Sequence, residues 1–120
     1  MSTEKERIDK ARELAEFCLK CAEDKLAEAP VLLPLPTSTA IADFFVIATA
    51  NSDPHLQALA GHLERQVREV FKLRPLSGDD AAASGGWVLL DFGDVIVHLM
   101  RREIREKYQL ETLWGELKRA

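Results

Sequence analysis

No apolar stretch in the chain approaches the roughly 18 residues of a membrane helix, so the reading is of a water-soluble protein without a membrane partner. Cysteine is nearly missing. Cys18 and Cys21 form a lone C-x-x-C, and His55, His62 and His98 are scattered, so a structural zinc site lacks its four ligands. The pair falls inside a helical pattern, not where a strand meets a helix start, which leaves two small apolar residues and no redox motif. Glycine-rich phosphate turns are also absent, since Gly85-Gly86 precedes a strand and nothing resembles a P-loop. The start, Met1-Ser2-Thr3-Glu4-Lys5-Glu6, lacks the apolar core of a signal peptide, and its acidic residues argue against a transit peptide. A cytoplasmic location is expected. Positive charge is in deficit: 16 Lys and Arg against 20 Asp and Glu give a net charge of −4. Such an acidic body is unsuited to gripping DNA by its phosphates and compatible with a basic protein partner.

What is present suits an ordinary globular domain. With 120 residues, 47% hydrophobic and 30% charged, the chain can bury a modest core and is expected to form one domain over residues 1–120. Thr3-x-x-Glu6 reads as a capping box, and Ile8, Ala11, Leu14, Ala15, Cys18, Ala22 and Leu26 recur at helical spacing, which predicts a long amphipathic helix ending near Ala29-Pro30. Val31 to Leu35 is apolar but interrupted by Pro34 and closed by Pro36, so it reads as an edge strand or an extended connector. Thr37-Ser38-Thr39 reads as a turn. Asp43 to Ala50 has almost no polar face and predicts a strand buried on both sides.

Asn51-Ser52-Asp53-Pro54 then starts a helix whose inner face is Leu56, Leu59, Ala60, Leu63, Val67, Val70 and Phe71. Leu73 to Leu76 reads as a brief strand, Ser77 to Gly86 as a loop, and Ile104 to Leu117 as one or two short helices entered by Arg101-Arg102. The order α-β-β-α-β-β-β-α predicts an α+β domain, a mixed sheet with helices packed on it.

The segment from Trp87 to Met100 carries the most information. With Phe92-Gly93 as turn residues, Asp91 faces Asp94, Leu90 faces Val95, Leu89 faces Ile96, Val88 faces Val97 and Trp87 faces His98. Val88, Leu90, Val95, Val97 and Leu99 then share an aliphatic face, while Trp87, Leu89, Asp91, Asp94, Ile96 and His98 share the other. Two carboxylates directly opposed destabilise a hairpin unless a positive group compensates them, and that group is expected on another protein. Asp91 and Asp94 could instead hold a divalent cation in a metal-dependent nucleotidyltransferase-like enzyme, but the missing phosphate cradle weakens this alternative. An Asp bonding turn amides and a Gly at positive φ account for one carboxylate more readily than for both. Ser52 near His55 is better explained as a helix cap than as a nucleophile and base. Exposed Trp87 and Phe92 beside Asp91 and Asp94 read as a protein interface: aromatic anchors flanked by orienting charges.

Ala42-Asp43-Phe44-Phe45-Val46-Ile47-Ala48-Thr49, the run from Ser52 through His55-Leu56-Gln57-Ala58, Gly86 through His98, and Tyr108-x-Leu110-Glu111-x-Leu113-Trp114 occur in order over about residues 40–115. Together they resemble the ribosomal silencing factor family, RsfS, also called Iojap. The resemblance implies a fold related to nucleotidyltransferases without their catalytic motif, and a protein that is neither an enzyme nor in need of a cofactor. It also implies binding to ribosomal protein fourteen of the large subunit, a basic protein at the intersubunit face, and so a block on subunit joining when nutrients are short. Trp87, Asp91, Phe92 and Asp94 match the family's partner-binding surface, and relatives that pair make a homodimer an expectation. Val31 to Pro36 departs from the family in its prolines, and Asp79-Asp80-Ala81-Ala82-Ala83-Ser84 in its alanines.

Overall fold

The computed structural model describes residues 3–36, 41–76 and 85–112. Its elements are α1 (Glu4–Asp24), β1 (Glu28–Pro34), β2 (Phe44–Ala50), α2 (Asp53–Phe71), β3 (Trp87–Asp91), β4 (Val95–Arg101) and α3 (Arg102–Tyr108). The four strands form one mixed sheet in the order β1-β2-β4-β3. β1 and β3 run antiparallel to their neighbours, and β2 runs parallel to β4. This is the expected α+β architecture. Among the described residues, no helix is long and apolar enough to cross a membrane. The turn at Thr37-Ser38-Thr39, most of the loop from Ser77, and Leu113, Trp114 and Leu117 lie outside the described residues.

Both long helices start where the sequence places them. Thr3 accepts from the Glu6 amide, Glu6 accepts from the Thr3 amide, and the capping box is complete. Ser52 caps α2 by accepting from the His55 amide, with Pro54 in the first turn. Their ends are less legible. α1 stops at Asp24, about five residues before the expected end, through a Schellman motif: the Leu26 amide donates to the Glu23 carbonyl and the Ala27 amide to the Ala22 carbonyl. Leu26 takes the left-handed conformation there (φ 62°) and is largely exposed, so no glycine announces the stop.

β1 is the edge strand that its prolines allow. A missing N–H at Pro34 costs little where one side of the strand has no neighbour, and a bulge between Glu28 and Val31 absorbs Pro30. All seven residues of β2 are buried, as expected of a strand covered on both faces. Leu73 to Leu76 is not a strand, a correction to the expected element order. The segment makes one bond to the sheet, from the Leu76 amide to the Asp91 carbonyl (2.6 Å). Val70, expected on the inner face of α2, is 56% exposed because the helix is ending there, with Lys72 already left-handed.

One face of the sheet packs against α1 and α2. Phe44, Val46, Ala48, Val88, Leu90, Val95, Val97 and Leu99 meet Leu14, Cys18, Leu56, Leu59, Leu63 and Val67 there. Burial of the Cys18 thiol pushes its pKa up, and both cysteines are free and buried, in keeping with an apolar role. The opposite face holds Phe45, Ile47, Ile96 and Met100, with Trp87, Leu89 and Ile104 and Leu110 packed against them.

Candidate functional site

β3 is the other edge strand, so its side chains and the turn after it are placed where a partner could reach them. The hairpin register differs from the expected one by two residues. Trp87 pairs with Met100, Leu89 with His98, Leu90 with Val97 and Asp91 with Ile96. The turn closes through the Phe92 amide donating to the Val95 carbonyl (2.9 Å). Gly93 and Asp94 are therefore the central residues, with Gly93 at φ 93°, the position that favours glycine in a primed hairpin turn.

This register overturns the opposed carboxylates. Asp91 lies across from Ile96, and its Oδ1 accepts from the Gly93 amide at 2.8 Å, a local Asx turn. Asp94 projects from the turn and meets Arg7 of α1, whose guanidinium donates to Asp94 Oδ1 at 3.0 Å. The same guanidinium bonds both oxygens of Asp43 (2.5 and 3.3 Å) and the Glu4 carboxylate (2.9 Å). The compensating cation is thus within the chain. These bonds, to Glu4 first and then to Asp43, raise the Arg7 pKa, and Arg7 holds the Glu4 carboxyl below its usual range. Three carboxylates around one guanidinium leave the cluster acidic. The Asp94 carbonyl also accepts from the Asp43 and Phe44 amides (2.8 and 3.2 Å), tying the turn to the start of β2.

The two expected aromatic anchors part company. Phe92 is 8% exposed and belongs to the core under the helices, so the expectation that it is exposed is corrected. Its position at the end of β3 continues the inward face of Val88 and Leu90. Trp87 is half-buried on the opposite face. Its indole Nε1–H donates to His98 Nδ1 (3.1 Å), and its ring lies 5.0 Å, centre to centre, from that of Tyr108. His98 is 5% exposed, packs edge-on against Phe45 at 4.5 Å, and burial pushes its pKa down to about 4.

Sequence reasoning gave no site role to Arg7, Arg105 or Tyr108, although Tyr108 stands in the motif that carries the family resemblance. Arg105 is nearly buried and forks onto Glu111 (2.7 and 2.9 Å) while also donating to Thr49 Oγ1 (2.8 Å), which fastens α3 to the sheet. Arg7 and Asp94 are 87 positions apart, and no local pattern announces such a pair. His55 joins the start of α2 to the end of α1: its Nδ1 accepts from the Asn51 amide (3.0 Å) and its Nε2 donates to the Lys25 carbonyl (2.8 Å). Ser52 meets the His55 amide as a cap, not its ring. Among the described residues, no group of three His, Cys, Asp or Glu is placed to hold a metal ion. Asp91 and Asp94 are engaged separately, with a turn amide and with Arg7.

Comparison with known proteins places the chain in a family. Residues 8–120 match the RsfS family model, described as ribosomal silencing factor during starvation. The chain belongs to the RsfS family. An RsfS relative from Halalkalibacterium halodurans, named ribosomal silencing factor RsfS, is 38% identical over 106 residues, 88% of each chain. A mouse RsfS relative, named mitochondrial assembly of ribosomal large subunit protein 1, is 34% identical over 69% of this chain and 37% of its own. The crystal structure of a Chromobacterium violaceum protein superposes with a TM-score of 0.80 at 28% identity, covering 88% of this chain and 86% of that one. The RsfS relatives are named for regulation and assembly of ribosomes, and none of these names is that of an enzyme.

Proposed function

We propose that this chain is a cytoplasmic translational repressor that docks on the large ribosomal subunit through ribosomal protein fourteen and blocks joining of the small subunit. The observation that carries the reading is the edge strand β3, which ends in an acidic turn and presents half-buried Trp87 on the face away from the long helices. Trp87 supplies the anchor, while Asp91 and Asp94 orient a basic partner. Phe92 supports the turn from beneath. Arg7 tempers the acidity without cancelling it, because Glu4, Asp43 and Asp94 share its one charge. The mechanism is occlusion, with no bond made or broken. Self-association, which the family resemblance implies, is read by sedimentation equilibrium.

Co-sedimentation with purified large subunits at rising salt tests the docking. Trp87→Ala is expected to weaken binding by about 2 kcal/mol, and Asp94→Lys to weaken it with a flatter salt dependence. Unchanged binding by both folded variants overturns the reading. Added small subunits should fail to join subunits that carry the wild-type protein.

A further inference from the structure

His98 stands on β4 directly across from Leu89, while Trp87 stands across from Met100. His98 and Trp87 are therefore diagonal neighbours on one face, within reach for long side chains. The indole N–H points to His98 Nδ1 at 3.1 Å. The acceptor is itself held, because the imidazole is 5% exposed and packs edge-on against Phe45 of β2. An imidazole accepting at Nδ1 carries its proton on Nε2 when neutral. Among the described residues, that Nε2 is buried with no hydrogen-bond partner. A buried donor left unsatisfied costs stability that an apolar side chain of similar size would not. The imidazole is accounted for by what its other nitrogen does for Trp87.

Resting on the docking reading above, we propose that His98 is the positioning residue of the Trp87 anchor. It holds the indole in its docking orientation and withdraws the indole N–H from the partner, so Trp87 meets the ribosomal protein through its ring alone. Fixing the side chain before contact lowers the entropy lost on binding. Tyr108 braces the same ring from α3.

A double-mutant cycle tests this in the full chain, with co-sedimentation on large subunits as the readout and thermal melting to confirm folding. His98→Leu is expected to weaken binding about three- to tenfold, on the scale of one hydrogen bond. Trp87→Ala weakens it more, and the double variant no further than Trp87→Ala. Additive losses would mean that His98 acts independently of Trp87, and the inference would fall while the docking reading stands. If Trp87→Ala binds as the wild type does, the docking reading itself fails, and the inference with it. Should His98→Leu not fold, the wild type decides. The Trp87 indole proton, assigned by its loss in Trp87→Phe, should exchange slowly with solvent, and exchange as fast as that of an open indole overturns the assignment.

Discussion

The two faces of the sheet are made by the same strands, yet they are built on different rules. Among the described residues, the side chains that the strands bury toward α1 and α2 are apolar, among them Val46, Leu90, Val97 and Leu99, each wholly buried. Toward α3 they present both of the buried polar residues found among the described residues, Thr49 and His98, with Trp87 beside them. A face with nothing to satisfy serves the fold. A face that buries an imidazole at a cost, and fastens α3 through Arg105 and Thr49, has been arranged to hold particular side chains in particular places.

The sharpest way to break that division is to damage the helix-packed face alone. Leu90 is fully buried, so Leu90→Ala should cost about 2–5 kcal/mol by urea denaturation, the usual range for a cavity in an apolar core. The fraction that remains folded should bind large subunits as tightly as the wild type does. Weakened binding by folded Leu90→Ala would show that the two faces are coupled through β3.

Acid should act through the other face. The His98 pKa is about 4 in the folded protein and near 6.5 in the unfolded chain, so between these values the unfolded state binds the extra proton. Its contribution to stability is complete above about pH 6.5 and declines as the pH falls, the loss levelling off below about pH 4 at about 3 kcal/mol. Glu4 and Glu111 also carry lowered pKa values, first through hydrogen bonds to Arg7 and Arg105, and add their own losses in acid. The His98 share is read as the difference in pH dependence between wild type and His98→Leu in urea titrations. Parallel curves for the two proteins would mean that His98 is not the titrating group.

How much of this was legible in the sequence follows the same division. Alternation assigns Trp87 to Asp91 and Val95 to Leu99 to their proper faces even though the register is off by two, because a shift of two residues leaves a period-two pattern unchanged. The turn itself was ambiguous: Phe92-Gly93 and Gly93-Asp94 both place a glycine centrally, and the choice rests on burying Phe92 under the helices, which is a tertiary effect. Thr3 and Ser52 were readable because a cap lies within three residues of what it caps. Leu26 was not, because a leucine in the left-handed region carries no local signal. Trp87 and its neighbour His98 share one face of the hairpin in the sequence reading, whereas Tyr108 and Arg7, which meet Trp87 and Asp94, come from elsewhere in the chain.

Arg7 offers the smallest and most discriminating test, since it joins the N-terminal helix to the hairpin turn proposed to dock. Its guanidinium is partly exposed, so the ion pairs with Glu4 and Asp94 contribute little to stability, while the pair with the largely buried Asp43 contributes more, and Arg7→Gln should lower the urea midpoint modestly. Removing the cation makes the cluster of Glu4, Asp43 and Asp94 more negative. Association with large subunits measured by stopped flow should become a few-fold faster at low ionic strength, and the gain should vanish once salt shortens the screening length to a few ångströms. Slower association at every salt concentration would carry a different meaning: Arg7 would then be holding Asp94 in the orientation the partner needs, and the acidity of the turn would matter less than its geometry.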